Sequence, residues 1–220
     1  MMGGMKPRMG ALGALFAVLV ASGSAPGQLQ DQPMGKDPAT LKKAAFKVDS
    51  HVAGLYKRKK LGVPEVVDDA TFLRRSFLVA AGRIPTLDEV RQFLEIEDEN
   101  KREMLIGYLL ASDGYRSHMT NWMLDMFRAK DKFDGGRGAS AAPYLEFIRS
   151  GVTYNMPWDE LGRSLLAAEG SIWSSENGAV GYYVRDKGMP LDNLSNTMRI
   201  FAGTRMECAQ CHDDPYGEYE

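Results

Sequence analysis

Cysteine is scarce in this chain, since only 2 of its 220 residues are Cys. Two Cys cannot build the several disulfides that hold small secreted scaffolds together, so that class of protein is excluded. An excess of one charge is also lacking, because 27 basic residues face 29 acidic ones and the formal net charge is −2. Without a basic excess, the composition argues against nucleic acid as a partner. The length and the hydrophobic fraction of 44% fit one globular domain with a buried core.

A long hydrophobic run is missing as well. The most apolar stretch, residues 11–21 (ALGALFAVLVA), is shorter than the roughly 20 residues that a membrane-spanning helix needs. It follows two basic residues and precedes the small residues SGSAPG. This order predicts a secretory signal peptide over 1–27, cleaved after Gly27. Cleavage after Gly23 and an uncleaved membrane anchor are the alternatives.

The predicted signal peptide sets the compartment and the domain boundaries. Its removal leaves 25 basic and 29 acidic residues, so the mature chain is mildly acidic. We expect a periplasmic or secreted protein of the cell envelope with no transmembrane segment in its mature form. The polar residues 28–38, with two Pro, predict a flexible linker. The helical domain then occupies residues 39–220.

Within that domain, apolar residues recur at helical spacing and strand signals are few, which predicts an irregular, multi-helix, all-α fold. Thr86 and Glu89 form the pattern of a capping box, Ser112 suits a helix N-cap, and Pro157 suits a first turn. The predicted helices cover residues 40–60, 72–80, 86 onward, 101–110, 112–127, 141–149, 157–168 and 191–201. The glycine-rich residues 135–138 predict a flexible connection, and residues 170–187 are predicted to be irregular.

Two local patterns each allow a functional and a structural interpretation. The basic run Lys57–Lys60 could bind nucleic acid or an anionic surface, but it also suits the C-terminus of a helix, which cations stabilise. The stripe on the fifth helix could supply a methionine ligand to haem or copper, although such stripes more often pack in a core. Its members are Met119, Trp122, Met123, Met126 and Phe127. The structural interpretation is favoured in both cases.

Both cysteines belong to one motif, Cys208-Ala209-Gln210-Cys211-His212. This CxxCH pattern is the attachment signature of c-type haem. Two thiols one turn apart can each add across a vinyl group of the same porphyrin, and the adjoining His can bind the iron. We therefore predict covalent haem c, with Cys208 and Cys211 as its thioether anchors and His212 as its metal ligand.

The same residues allow other interpretations. A Cys-x-x-Cys pair can be a redox dithiol, although that motif usually accompanies a βαβ context that is missing here. It can be half of a zinc site, for which Asp213 or Asp214 would have to complete the ligand set. A local disulfide or a pair of free structural thiols is the remaining alternative.

The sixth ligand of a bound haem stays open. The tail after His212 contains neither Met nor His. The candidates elsewhere are His51, His118, Met189, Met198 and Met206, while the position could also be vacant or filled by a partner protein. Both His51 and His118 equally suit ordinary surface or half-buried positions.

Four stretches of the chain resemble the planctomycete-type cytochrome-associated domain of unknown function, found in exported bacterial proteins with an embedded CAQCH motif. These stretches cover residues 72–86, 112–128, 142–170 and 192–219. The resemblance extends from about Leu55 to the end of the chain. It implies that Cys208, Cys211 and His212 attach haem, and it supports the fold and the exported compartment more than any particular reaction.

The chain departs from this family in three respects. Asp214 stands where the family tends to have a second His after the motif, and Met119 and Met123 stand where aromatic residues are common. Family members usually continue for several hundred residues into another domain. We therefore expect this sequence to be an N-terminal portion, with a missing C-terminal domain that could complete the site.

Two functions follow as hypotheses. The first is an exported c-type haem protein with an electron-transfer or redox role and a redox partner protein of unknown identity. The second is a non-enzymatic helical interaction module of the cell envelope, in which Cys208 and Cys211 form a local disulfide or remain thiols. A haem-requiring oxidoreductase with its substrate site in the missing part is a third option. No hydrolase signature of the Ser/His/Asp or HExxH type is found, so no catalytic residue is assigned.

Overall fold

A computed structural model describes residues 38–133, 139–173, 177–213 and 215, and over these residues the chain forms nine α-helices and two short 3₁₀-helices. The α-helices are α1 Pro38–Lys59, α2 Asp69–Ala81, α3 Leu87–Glu95, α4 Lys101–Leu110, α5 Asp113–Met126, α6 Ala142–Thr153, α7 Trp158–Leu166, α8 Gly181–Val184 and α9 Pro190–Ala202. The described residues include no strand beyond an isolated antiparallel bridge between Lys132 and Ser140. The predicted all-α fold is therefore confirmed.

Three predictions concern residues outside this described part. The signal peptide over 1–27 and nearly all of the linker over 28–38 precede the first described residue, and the glycine-rich connection over 135–138 falls in a gap. These remain predictions. The last residue of the predicted linker, Pro38, is already the first residue of α1.

Helices α2, α3 and α4 share the first hydrophobic cluster, which consists of Leu73, Phe77, Phe93, Leu105 and Leu109. Helix α2 begins where the Asp68 carboxylate accepts the backbone N–H of Thr71 at 2.7 Å, and it ends at Gly82 in the left-handed conformation (φ 66°). The start of α2 is joined to α4 by ion pairs from Asp69 to Lys101 (2.8 Å) and Arg102 (2.7 Å). The helices predicted over 72–80 and 101–110 are thus confirmed as α2 and α4.

The turn between α2 and α3 shows the predicted capping box in full. The Thr86 hydroxyl accepts the backbone N–H of Glu89, and the Glu89 carboxylate accepts the backbone N–H of Thr86 at 2.7 Å. The same carboxylate forms a bidentate pair with Arg83, at 2.7 and 2.9 Å. Burial alone would raise the pKa of Glu89, but the hydrogen bonds from Arg83 and Thr86 outweigh it and hold that pKa below its ordinary value.

Helix α5 packs against both α2 and α6 and so links the two hydrophobic clusters. Ser112 caps it as predicted, because its hydroxyl accepts the backbone N–H of Tyr115 at 3.1 Å. Met123 and Phe127 are buried in the second cluster, as the packing interpretation of the methionine stripe requires. The prediction that Trp122 belongs to the buried stripe is wrong, since it is 54% exposed.

The second cluster is built from α5, α6, α7 and the segment that precedes α9. Its buried members are Met123, Phe127, Phe133, Ala139, Ala141, Tyr144, Ile148, Val152, Leu161, Leu165, Ala179 and Tyr182. Helix α6 continues to Thr153, four residues beyond its predicted end at residue 149, because Val152 still faces this core. Pro157 is the N-cap of α7 rather than part of its first turn.

The prediction of irregular structure over 170–187 is wrong for its second half. Gly178–Val180 forms a 3₁₀-helix that continues directly into α8, and both pieces lie in the core. A side chain at Gly181 would place its Cβ 2.5 Å from the Cβ of Tyr144, so only glycine allows α8 to lie so close to α6. Apolar spacing does not predict α8, because the helix is short and the segment contains Gly178 and Gly181.

Helix α9 forms where it was predicted, but it buries an unexpected face. Leu191 and Leu194 are largely exposed, whereas Asn193, Ser195 and Asn196 are buried. Of these buried polar residues, Asn193 contacts the charged segment that follows α8, and Ser195 contacts Gln210. The first half of α9 therefore faces the core with polar side chains, whereas its end packs there through Ile200 and Phe201.

Candidate functional site

The CxxCH motif follows the C-terminus of α9. Gly203 ends this helix in the left-handed conformation (φ 65°), and the backbone N–H groups of Gly203 and Thr204 both approach the carbonyl of Met198, the latter at 3.2 Å. The chain then returns past α9, which brings residue 210 beside Ser195. The motif is thus positioned by how α9 ends.

The motif itself is one tight turn. Cys208–Gln210 forms a 3₁₀-helix, and the carbonyl of Cys208 accepts the backbone N–H groups of Cys211 at 3.2 Å and His212 at 3.3 Å. Both thiols are free and exposed, and the imidazole of His212 is exposed as well. The structure therefore brings the three predicted site residues together on one accessible turn.

Gln210 attaches this turn to the helical core. Its Nε2 donates a hydrogen bond of 2.9 Å to the Oγ of Ser195, a buried residue on α9. The CxxCH pattern itself allows any residue at position 210. An amide within a motif carries no sequence signal of such a role, because its partner lies 15 residues away.

The imidazole of His212 lies close to the backbone of its neighbour. Its Nδ1 is 2.7 Å from the carbonyl oxygen of Asp213, which can only accept a hydrogen bond. The geometry therefore suits the tautomer with hydrogen on Nδ1, in which Nε2 carries the lone pair that a metal needs. A metal-ligating His commonly makes such a hydrogen bond through its other ring nitrogen.

A buried charged segment lies beneath α9. The Arg185 side chain is fully buried, donates to the carbonyl of Phe127 and to the Asp186 carboxylate at 3.1 Å, and lies over the Tyr182 ring at 3.9 Å. Asp186 is also paired with Arg128 at 3.3 Å. Asn193 completes the group, because its Nδ2 donates to the Tyr182 carbonyl at 2.8 Å.

This group, Arg185 with Asp186 and Asn193, is the main feature that sequence analysis missed. Arg and Asp are rarely buried, so a charged dipeptide inside an irregular stretch is typically assigned to the surface. The group joins the ends of α5 and α8 to the first turn of α9, two residues before Ser195. It therefore holds in place the helix on which Gln210 docks.

Two tyrosines border the buried group. Burial raises the pKa of Tyr144 well above its ordinary value, although the neighbouring Arg185 lowers it in part. The Tyr182 hydroxyl is 2.7 Å from the Thr197 hydroxyl, which itself donates to the Asn193 carbonyl at 2.7 Å. Tyr144 stays neutral at physiological pH, so it is suited to packing rather than to proton transfer.

Aromatic rings hold the C-terminal end of α9 on the core. Phe201 lies 5.5 Å from the Trp158 ring and 6.2 Å from the Phe127 ring, measured between centroids. Phe201 also fills the space above Gly162, where an added Cβ would lie 3.2 Å from its ring. These contacts position the helix end from which the CxxCH turn departs.

The candidates for a sixth ligand are scattered over the fold. His51 is exposed on α1, and Met189 is exposed before α9. His118 packs against Gly82 at the end of α2, so closely that a Cβ on Gly82 would overlap the ring. Met198 and Met206 are half-buried on either side of Gly203 and remain the candidates nearest to the motif in sequence.

Two features of the described residues concern metal binding and membrane insertion. They contain no group of three or more His, Cys, Asp and Glu side chains that could hold a metal ion, while Asp214, one candidate partner in a zinc site, lies outside them. Among the same residues, no helix is long and apolar enough to cross a membrane.

Comparisons with known proteins find one family. No curated protein and no solved structure matches the chain. The model of the family described as PSCyt2, protein of unknown function (DUF1549), matches residues 47–220, which include every helix from α2 onward and the CxxCH motif. The match covers well over half of the sequence. The chain belongs to the PSCyt2 family of proteins of unknown function (DUF1549).

Proposed function

We propose that this chain is an exported c-type haem protein with an electron-transfer or redox role. The observation that carries the proposal is the CxxCH turn, in which two exposed free thiols and one exposed imidazole lie within five residues. Cys208 and Cys211 would hold the haem through thioether bonds, and His212 would bind its iron through Nε2.

The surroundings of the turn support this assignment. The contact between His212 Nδ1 and the Asp213 carbonyl favours the tautomer that binds a metal. Exposed thiols are accessible for covalent attachment, and a group held at the surface is accessible to a redox partner. A bound haem supplies one-electron redox chemistry, whose potential depends on the axial ligands. The predicted export of the chain agrees with a cofactor that is attached outside the cytoplasm.

The test is covalent attachment itself. The chain is expressed with a cytochrome c maturation system and examined by haem stain on a denaturing gel, by pyridine haemochrome spectrum and by intact mass. We expect a stained band whose mass is increased by one haem. The variant Cys208→Ser, Cys211→Ser should lose the stain, while Glu207→Gln, an exposed neighbour of the motif, should keep it.

A colourless protein of unmodified mass would overturn the proposal. The alternative, a helical interaction module of the cell envelope, would then be tested on the same sample by alkylating the thiols before and after reduction. Two thiols that become reactive only after reduction would indicate a disulfide between Cys208 and Cys211. Two thiols that react at once would indicate reduced structural cysteines.

A further inference from the structure

Helix α1 exposes a continuous apolar stripe, here called the α1 stripe and formed by Leu41, Val48, Val52 and Leu55. These residues are 55%, 60%, 47% and 45% exposed, although their spacing of seven, four and three residues places them on one face. One ion pair, Lys42 with Glu103 on α4 at 3.7 Å, joins the helix to the described domain without covering the stripe. An amphipathic helix that leaves its apolar face open needs a partner for it.

The basic residues of the chain are concentrated in the same helix. Residues 38–60 carry seven Lys and Arg and one acidic residue, whereas residues 61–220 carry 17 basic and 26 acidic residues. The basic residues Lys43, Lys47 and Lys57 fall opposite the α1 stripe or on its flanks. Residues 38–60 thus combine the apolar face of α1 with a net charge of +6 in a chain that is otherwise acidic.

We propose that α1 lies on the surface of a membrane that contains anionic phospholipid. The α1 stripe would enter the interface between headgroups and acyl chains, and the flanking lysines would extend to the phosphates. The net charge of −9 over residues 61–220 would be repelled by the same surface, so α1 alone would contact it. This inference is independent of haem attachment.

Other occupants fit these observations less well. A second copy docking through its own α1 stripe would bring two segments of net charge +6 together. Nucleic acid would satisfy the lysines but leave the stripe exposed to water. Anionic lipid would both bury the α1 stripe and attract the lysines.

The test is sedimentation with vesicles, using the chain purified after export with its N-terminus determined by mass spectrometry. We expect binding to vesicles of phosphatidylglycerol and phosphatidylcholine, weaker binding to pure phosphatidylcholine, and release as salt rises. The double variant Val48→Ser, Val52→Ser should weaken binding. The control double variant Val63→Ser, Val79→Ser should not, because these valines, which are 77% and 75% exposed, lie outside α1. All four positions lie outside both hydrophobic clusters, so folding is retained.

A second pair of variants tests the charges. Lys43→Gln, Lys47→Gln, Lys57→Gln should lower the partition coefficient roughly 100-fold, at about fivefold for each base, while Arg74→Gln, Arg75→Gln on α2 should leave it unchanged. Equal binding by the wild type and both α1 variants, or equal binding to neutral vesicles, would overturn the proposal. A dimer abolished by the valine variant, or binding to DNA rather than vesicles, would equally overturn it.

Discussion

Gln210 and Ser195 form the side-chain hydrogen bond that joins the CxxCH turn to helix α9, with 2.9 Å between the Gln210 Nε2 and the Ser195 Oγ. Gln210 is half-buried, whereas Cys208, Cys211 and His212 are exposed, and Ser195 is only 3% exposed. The residue between the cysteines therefore does more than set their spacing. It determines where the two thiols lie on the folded domain.

A double-mutant cycle on this pair tests the attachment. Gln210→Ala leaves the buried Ser195 hydroxyl without this donor, so we expect the free energy of unfolding to fall by about 1 kcal/mol. Ser195→Ala should have a similar effect, and the double variant should lose less than the sum. Urea denaturation measures the energies, and Ser117→Ala, on the exposed face of α5, is the control.

Hydrogen exchange provides a second readout of the same pair. We expect the amides of Cys211 and His212 to exchange faster in Gln210→Ala than in the wild type, while the amides of α2 and α4 remain unchanged. Strictly additive energies together with unchanged exchange would show that the hydrogen bond does not hold the turn.

The buried ion pair between Arg185 and Asp186 should matter more than any pair on the surface. Arg185→Met removes the donor to the Phe127 carbonyl and leaves Asp186 buried beside the half-exposed Arg128. We expect a loss of about 3 to 5 kcal/mol in the free energy of unfolding, measured by urea denaturation. Arg149→Met, which breaks an exposed pair with Glu146, should change stability by less than about 1 kcal/mol. Equal effects of the two variants would contradict the buried role of Arg185.

Two glycines should respond in opposite directions to alanine. Gly181→Ala places a Cβ 2.5 Å from the Tyr144 Cβ and 2.9 Å from the Phe133 ring, so we expect a loss of about 1 to 3 kcal/mol. Gly107 lies within α4, and its added Cβ would meet nothing within 4 Å. Gly107→Ala should therefore stabilise the chain by about 0.5 to 1 kcal/mol. Thermal denaturation of both variants checks the two signs.

Glu89 of the capping box should make the free energy of unfolding depend on pH. The pKa of Glu89 is lower in the folded chain than its ordinary value of 4.5, so its contribution is fully present above about pH 4.5 and is lost as the pH falls through the lowered value. We expect the free energy of unfolding of Glu89→Gln to fall less steeply than that of the wild type below pH 4.5. Glu95→Gln, an exposed residue on the same helix, controls for the loss of one carboxylate. Parallel curves for Glu89→Gln and the wild type would be inconsistent with this role.

The helices could be predicted where local signals agreed with apolar spacing. Ser112 and the pair Thr86 with Glu89 each predict the start of a helix through a side chain that caps the backbone, and the structure confirms both. Helices α2 and α4 formed where apolar spacing predicted them, and both contribute to the first hydrophobic cluster. Local information was sufficient for this part of the fold.

The remainder depends on contacts between distant residues. Arg185 reaches the Phe127 carbonyl across 58 positions, and no local pattern signals that a charged residue will be buried there. The polar face of α9 is buried for the same reason, because Asn193 donates hydrogen bonds to Tyr182 and Asp186 in the preceding segment. Within the candidate site, the motif residues were predictable from their spacing, but the docking of Gln210 on Ser195 was not.

Because of how the CxxCH turn is attached, its opening and the unfolding of the domain are two different events. A neutral hydrogen bond such as that of Gln210 contributes about 1 kcal/mol, whereas the core beneath it is held by a buried ion pair and by packed aromatic rings. The turn can therefore lift off α9 and return many times before the helices come apart. An enzyme that modifies both thiols would meet an accessible turn on a domain that is already folded, so folding need not wait for the modification.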